Sequence, residues 1–490
     1  MENYTDNDLR AIYRQGEDAS VAFMKTQLER LDAFEKRLET LSRRGSKTSR
    51  TSSKPPSSDG YAKPKTLRLS SGKPPGAEPG HPGETLRLRE TPDTTVIHRV
   101  VENPATPIVC SCGTALLLPA EPAQLTAERR QVFDLPEPRL EVSEHRVEVH
   151  ACLCCGREHR GAFPPEVSAS VQFGDRFTAT AALLNVQHCL PVFRSAELLG
   201  DLFGHQVSTA TIQAMVERTS EACKPSERAI KAQLKVAAVN HADETGIRCN
   251  AVLHWVHGVS TPLLTWMQPS TKRGMEGMSA SGILEDYHGI LVHDCWRPYF
   301  SLSCDHALCC AHLLRELLAF AEAKPDETWA TEIATFLRAT WHETKAYREQ
   351  HRQPSPERTH AMEQEYIRLV QNGLRLYPHK SHASPSQSKP RGRIAQSDQY
   401  NLLERLHHWA GAVLLFWYDH RVPFDNNQSE RDIRMLKVKQ KVSGGFRTFA
   451  GAEVFCRIRS YCSTVAKHGL SRIDQLVNAL GGMPFLPMMT

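Results

Sequence analysis

The chain has 490 residues, of which 40% are hydrophobic and 23% charged, with a formal net charge of +5. Such a length implies several domains around a sizeable core, and the composition is that of a soluble globular protein, which excludes a fibrous or wholly disordered chain. The charge is mild, so any affinity for nucleic acid has to come from local clusters.

The N-terminal MENYTDNDLR is acidic and has no apolar stretch, so no signal peptide is expected. The longest apolar run, Trp409 to Tyr418, is half of the ~20 residues that a bilayer span takes. Fourteen cysteines scattered through a long chain favour reduced thiols or a metal site over a disulfide framework. A cytoplasmic protein is the expectation.

Residues 1–42 predict a helical segment. Met24, Leu28, Leu31, Phe34, Leu38 and Leu41 recur at spacings of three and four, an imperfect heptad that suits a short coiled coil, a helical hairpin or a helix packed on its own protein. Residues 43–93 are rich in Ser, Pro, Gly and Lys and predict a flexible linker. Their cations, from Arg43 to Lys73, face only Asp59; such a basic arm can lie along DNA phosphates or stay solvated.

Residues 94–165 hold Cys110-x-Cys112 and Cys152-x-x-Cys155 on either side of an alternating, strand-like run, Leu140 to Val149. Two thiolate pairs are what a closed tetrahedral zinc site needs, so a small zinc-binding domain is expected here. Residues 166–230 predict helices, with Thr178 to Val186 apolar and Ser208 opening a helix; they could bind DNA or pack as a bundle.

From 231 the period becomes that of strands. A strand from Leu234 is expected to end at Asp243-Glu244-Thr245-Gly246, a second to span Ala251–His257 and a third Pro262–Met267; Gly289–His293 is a short buried strand that delivers Asp294. Aspartate is disfavoured inside strands but common just after them, where it forms turns or reaches a metal. His306, Cys309, Cys310 and His312 fall where a helix is predicted; residues 309 and 310 then point apart, which favours packing over a second zinc site. Helical stretches follow over 329–349, 357–376 and 399–418, with a polar loop over 378–396.

A helix beginning near Asn427 places Glu430, Arg434, Lys437 and Lys441 on one face, and Met435, Val438 and Val442 on another that can anchor to a core. Glu430 also fits the third position of a capping box begun by Asn427. Ser443-Gly444-Gly445 stops the helix, a last one spans about Ala452 to Lys467, and Gly469 begins a short tail. Two strand-end aspartates and a helical glutamate meet the demands of two-metal phosphoryl chemistry, in which Mg²⁺ ions ~4 Å apart share a few carboxylates. The cations of the glutamate helix would hold a DNA backbone.

These stretches resemble the insertion-sequence-66 family of bacterial DDE transposases. The resemblance rests on Ser52-Ser-Lys-Pro-Pro-Ser-Ser-Asp59, Gly80-His-Pro-Gly83, the cysteine pairs, Asp243-Glu-Thr-Gly246 and His293-Asp-Cys-Trp296. It continues through His306-Ala-Leu-Cys-Cys-Ala-His-Leu-Leu-Arg-Glu316, Asp425-Asn-Asn-Gln-Ser-Glu-Arg431 and Lys439-Gln-Lys-Val-Ser-Gly-Gly-Phe-Arg447. It implies a multidomain α/β protein. A leucine-zipper-like segment (1–42), the basic linker (43–93), a zinc domain (94–165) and a helical region (166–230) precede an RNase H-like core (231–455). That core carries a helical insertion at about 320–415 and is followed by a C-terminal helix and tail (456–490). Asp243, Asp294 and Glu430 become the acidic triad for two Mg²⁺ or Mn²⁺ ions, and Cys110, Cys112, Cys152 and Cys155 the ligands of a structural Zn²⁺. The family's first cysteine pair is Cys-x-x-Cys, so Cys110-x-Cys112 is a departure that sets Cys110 apart. Arg434, Lys437, Lys439, Lys441 and Arg447 are the expected DNA contacts.

The resemblance also implies the activity: cutting the ends of an insertion sequence and joining them to target DNA. A DNA-binding accessory or inactive relative that holds the ends without chemistry is the alternative. The implied partners are double-stranded DNA (terminal inverted repeats and target), further copies of the chain, and accessory proteins of the same element. A nucleoid-associated, cytoplasmic location follows.

Overall fold

The structure, a computed structural model, describes residues 10–11, 13–29, 86–96, 109–115, 129–380 and 394–488. The heptad positions beyond 29, the linker up to 85 and most of the 378–396 loop lie outside the described residues. The chain divides into two compact units, residues 68–143 and the remainder. Residues 17–29 are helical, with Met24 and Leu28 exposed.

In the 68–143 unit, Cys110 and Cys112 sit on a turn closed by a bridge between Val109 and Ala115. The Cys110 N–H donates to Thr114 O at 2.9 Å and the Gly113 N–H to Cys110 O at 2.8 Å. Gly113 has φ +89°, which a residue without Cβ adopts freely.

In the larger unit, β1 (Val149–Ala151) and β2 (Glu158–Arg160) form an antiparallel hairpin around Cys152–Arg157. The Cys152 N–H donates to Arg157 O and the Gly156 N–H to Cys152 O, both at 2.8 Å. The alternating run from Leu140 makes a strand only at its last residue. Val142 and Val149 are exposed, so the alternation has no core to face.

Four helices then pack together: α1 (Asp175–Ala182), which continues as a π turn, α2 (Val192–Phe203), α3 (Thr209–Ala222) and α4 (Lys224–Val236). Ser208 caps α3 by accepting the Thr211 N–H at 3.0 Å. Ala181, Leu199 and Ile212 share one buried core with Ile247, Val256 and Phe455 from further along the chain.

The sheet has the order β5-β4-β3-β6-β7, built from β3 (Val239–Cys249), β4 (Val252–Ser260), β5 (Thr265–Ser270), β6 (Ile290–His293) and β7 (Asp305–Leu308). β3, β4 and β5 form an antiparallel meander; β6 and β7 run parallel to β3. Two expectations need correction. Leu234 belongs to the last turns of α4, and Asp243 lies in the middle of β3 instead of at its end. β7 had no forecast, because four residues beginning Asp-His carry no strand pattern of their own.

Between β5 and β6 lies a short helix, α5 (Met275–Ser279). After β7 come α6 (Cys310–Ala323), α7 (Trp329–Glu349), α8 (Pro356–Leu376), α9 (Asp398–His408) and α10 (Ala410–Tyr418), which together form a helical insertion after the sheet. Leu317, Leu337, Tyr366, Leu406 and Trp417 bury against Val292 and Leu308, so the insertion covers the parallel flank of the sheet. The chain ends with α11 (Asn427–Ser443), α12 (Phe449–Lys467) and α13 (Arg472–Leu480). α13 replaces the expected tail; its signal is Ser471, which accepts the Asp474 N–H. Among the described residues no helix is long and apolar enough to cross a membrane. The fourteen cysteines are unpaired.

Candidate active site

Register places the two aspartates. His241 of β3 pairs with Val292 of the parallel β6, and Asp243 and Asp294 each stand two residues further on. Neighbouring strands lie about 4.8 Å apart and side chains alternate with period two, so the carboxyls stand side by side on one face. The Glu244 N–H donates to Asp243 Oδ1 at 2.9 Å, and the Trp296 N–H to Asp294 Oδ1 at 3.1 Å.

Asn426 brings α11 to that face. Its Oδ1 lies 2.9 Å from His241 Nδ1, and its amide donates to Ala242 O at 2.7 Å. Gly258, opposite Asp243 in β4, lies under α11: a Cβ there would make an ordinary contact with Ile433 Cδ1, at 3.6 Å. Ser429, Ile433 and Leu436 are the buried stripe of the helix, and the first turn carries Glu430 toward the aspartates. The expected anchor of Met435, Val438 and Val442 is displaced by this stripe. Met435 and Val438 pack at its edge, and Val442 is exposed.

Nor does Asn427 cap the helix. Asn426 is the N-cap position, its side chain makes no cap bond, and both of its polar atoms are spent on β3. Glu430 accepts from Arg315 Nη2 of α6 at 3.2 Å. His312 Nδ1 is 3.6 Å from the same oxygen, but burial lowers the imidazole pKa to about 3, so this contact is not an ion pair.

The acids share one field. Burial pushes Asp243 well above the usual carboxylate range, and Glu244, Asp294 and Glu430 push it further. Burial and then Glu244 raise Asp294 to about 7. Glu430 is also raised by burial, against the pull of Arg315. Three hard oxygen donors whose carboxyls are all raised by burial are a donor set that fits Mg²⁺ or Mn²⁺.

Glu244 is a fourth acid that sequence reasoning passed over. Its side chain is only 2% exposed and is paired with Arg273 at 2.7 Å. Tyr299 Oη donates to its other oxygen at 2.8 Å. Arg273 in turn lies 4.7 Å from the Trp255 ring centroid and 4.4 Å from that of Trp296. The signal available was the Asp-Glu pair itself: in a strand, adjacent acids point to opposite faces, so one of them needs a partner of its own.

The expected DNA cations divide. Lys437 is part-buried and donates to Gly246 O at 2.5 Å; Lys439 donates to Ser443 Oγ at 3.3 Å and lies over the Phe446 ring. Burial lowers the pKa of both. Arg434, Lys441 and Arg447 are exposed. Of the cysteine ligands, Cys110 and Cys112 belong to the smaller unit and Cys152 and Cys155 to the larger, each pair on its own turn. The Cys152 thiol is lowered by hydrogen bonds from the Cys155 and Cys154 backbone, and the Cys112 thiol to about 7 by those from Thr114.

Comparison with known families gives two matches. A family model described as Transposase IS66 family matches residues 170–454, which spans the helical region, the sheet, the insertion and α11. A second, described as a family of unknown function (DUF6444), matches residues 5–87. A comparison with curated proteins finds no match.

Proposed function

Because the chain belongs to the IS66 family of transposases, we propose that it cleaves the ends of an insertion sequence and joins them to target DNA by metal-dependent phosphoryl transfer. The observation that carries this reading is that Asp243 in β3 and Asp294, just past the end of the adjacent parallel β6, stand at one level, with Glu430 in the same electrostatic field. A three-strand meander followed by two strands parallel to its first, with helices on the flanks, supports an RNase H-like core.

In this reading Asp243, Asp294 and Glu430 hold two Mg²⁺ or Mn²⁺ ions. When bound, the ions supply activation of the attacking oxygen and stabilisation of the leaving one. The protein's own contribution is placement. Asn426 fixes the start of α11 against β3, Arg315 holds the Glu430 carboxylate, and Arg273 with Tyr299 fixes Glu244 beneath the aspartates. Arg434, Lys441 and Arg447 are proposed to contact DNA phosphates, while Lys437 and Lys439 brace the helix. Cys110, Cys112, Cys152 and Cys155 are proposed, on their sequence pattern, to hold a structural Zn²⁺. Terminal-repeat and target duplexes are the proposed partners, with further copies of the chain.

The test is cleavage and strand transfer on terminal-repeat DNA with Mg²⁺, for wild type and for Asp243→Asn, Asp294→Asn and Glu430→Gln. Each variant is expected to bind the ends and yield neither cut nor joined product. Full activity in any one of them removes that residue from the triad. End binding by wild type with no product under any divalent ion supports the accessory role instead. Cut product that is never joined marks a nuclease.

A further inference from the structure

The carboxylate Glu430 has a second set of neighbours with different chemistry. Cys309 stands at the N-cap of α6 and His312 one turn into it, a spacing of three that brings both side chains to the same side of the helix start. Glu430 reaches them from α11. One donor atom from each of the three residues lies within 4.8 Å of the other two. Metal–ligand bonds of about 2.0–2.3 Å to a common zinc-class ion need donors no farther apart than this. Cys310 is buried in the core of the helices after β7, whereas Cys309, also buried, has its sulfur within reach of His312 and Glu430.

Two further observations point to a ligand. His312 Nδ1 is buried without a hydrogen-bond partner, although it faces Glu430. Cys309 Sγ accepts the Asn426 N–H at 3.1 Å, the kind of outer support that ligating sulfurs take. Arg315, 3.2 Å from Glu430, opposes a cation here, so an ion would have to replace it as the partner of that carboxylate.

We propose that Cys309, His312 and Glu430 form a binding site for a zinc-class divalent ion, and that its occupation withdraws Glu430 from the magnesium-binding acids. A thiolate, an imidazole and a carboxylate with a fourth position open select borderline-soft ions over Mg²⁺, and binding releases the Cys309 proton to solvent. The inhibitory consequence rests on the catalytic role proposed for Glu430; the binding does not. Zinc would then arrest cleavage at concentrations far below those of magnesium.

Cobalt(II) is the probe, titrated into the full-length chain in a Cys152→Ala/Cys155→Ala background that removes one competing thiolate pair. A thiolate-to-cobalt charge-transfer band is expected there, and its loss in Cys309→Ala and weakening in His312→Gln. Circular dichroism establishes that each variant is folded, and Cys309→Ser serves where Cys309→Ala is not. An identical band and stoichiometry in the folded Cys309 variant overturns the site. Zinc inhibition of Mg²⁺-supported cleavage is then measured, each variant against its own zinc-free rate. Loss of Cys309 is expected to raise the inhibitory zinc concentration about tenfold or more. Equal inhibition overturns the regulatory part. Should wild type bind cobalt through Cys309 yet never cut DNA, the transposase reading fails, the inhibitory role fails with it, and the metal site stands.

Discussion

The acidic centre and the basic half of α11 are parts of one surface, yet they are built by opposite rules. Every acid of the centre is tied to the fold: Asp243 and Asp294 by backbone N–H groups, Glu430 by Arg315, Glu244 by Arg273 and Tyr299. On the basic half, Lys437 and Lys439 are turned back onto the protein, and Arg434, Lys441 and Arg447 stand in solvent. The difference teaches where precision is needed. A pair of ions demands donors at fixed positions, whereas a phosphate backbone attracts any cation within a Debye length. Burial makes the first arrangement sensitive to single changes, and exposure makes the second tolerant.

The largest effect should come from the fourth acid. Arg273→Met leaves Glu244 buried with its charge unpaired, which costs on the order of 3–5 kcal/mol. Arg421→Met, which breaks the solvent-exposed pair with Asp419 at 2.6 Å, should leave the midpoint almost unchanged. Urea denaturation of both variants measures the difference; equal midpoints would mean that Glu244 is indifferent to its partner. Asn426→Ala ranks next. It strips partners from His241 and from Ala242 O, both buried, at roughly 2–3 kcal/mol. Asn427→Ala, one residue on and exposed, should stay within about 0.5 kcal/mol. A reversed ranking would restore Asn427 as the cap.

That ranking also marks how far the sequence reached. Helical periodicity and capping residues were sufficient for α7, α8 and the Ser208 start of α3, since these are local signals. Asp243, Asp294 and Glu430 were proposed because polar residues in unusual places resemble a family's motif. Their register was not, because it depends on β6 pairing in parallel with β3 across a long crossover. Asn426 was passed over for a related reason. A local rule assigned the cap to its neighbour, while a tertiary bond to His241 took the side chain. Cys309 and His312 were set aside because residues 309 and 310 of one helix would point apart; the helix begins at Cys310, and Cys309 is its N-cap.

The protonation of the centre gives a third comparison, between the acids with and without a cation. Asp294 titrates at about 7 in the fold and near the ordinary carboxylate value unfolded, so between those values the native state binds the extra proton. The Asp294 contribution to stability should therefore fall as pH rises through that window, the reverse of an ion-paired aspartate, whereas the buried His293 and His312, both lowered to about 3, contribute in the opposite direction. Asp243, also raised, acts in the same direction as Asp294. Mg²⁺ should stabilise most at the alkaline end, where the carboxyls are ionised, and flatten the profile. Melting temperatures from pH 4 to 8, with and without Mg²⁺, check this. Asp294→Asn should remove the falling contribution, so that the wild-type-minus-variant difference declines through the window, and should lose much of the response to Mg²⁺. A difference that rises instead would place Asp294 beside cations not seen at this site.

The smallest effects belong to α11, and they separate its two kinds of lysine. Lys441 is exposed at the last turn of the helix, so if it meets a phosphate its removal releases no counterion there. Lys441→Ala should weaken binding to every duplex alike and make the dependence of log K on log salt shallower by about one. Lys437 has a different duty. Its ammonium donates to Gly246 O on β3, beside the acids, and burial already lowers its pKa. Lys437→Met keeps the apolar stem and removes the bond, which should cost roughly 1–2 kcal/mol of stability and leave the salt slope unchanged. Fluorescence anisotropy across a salt series, paired with urea denaturation, reads both quantities on both variants. Should Lys437→Met flatten the salt slope as Lys441→Ala does, the ammonium leaves Gly246 for a phosphate when DNA is bound, and the basic face extends one turn closer to Glu430.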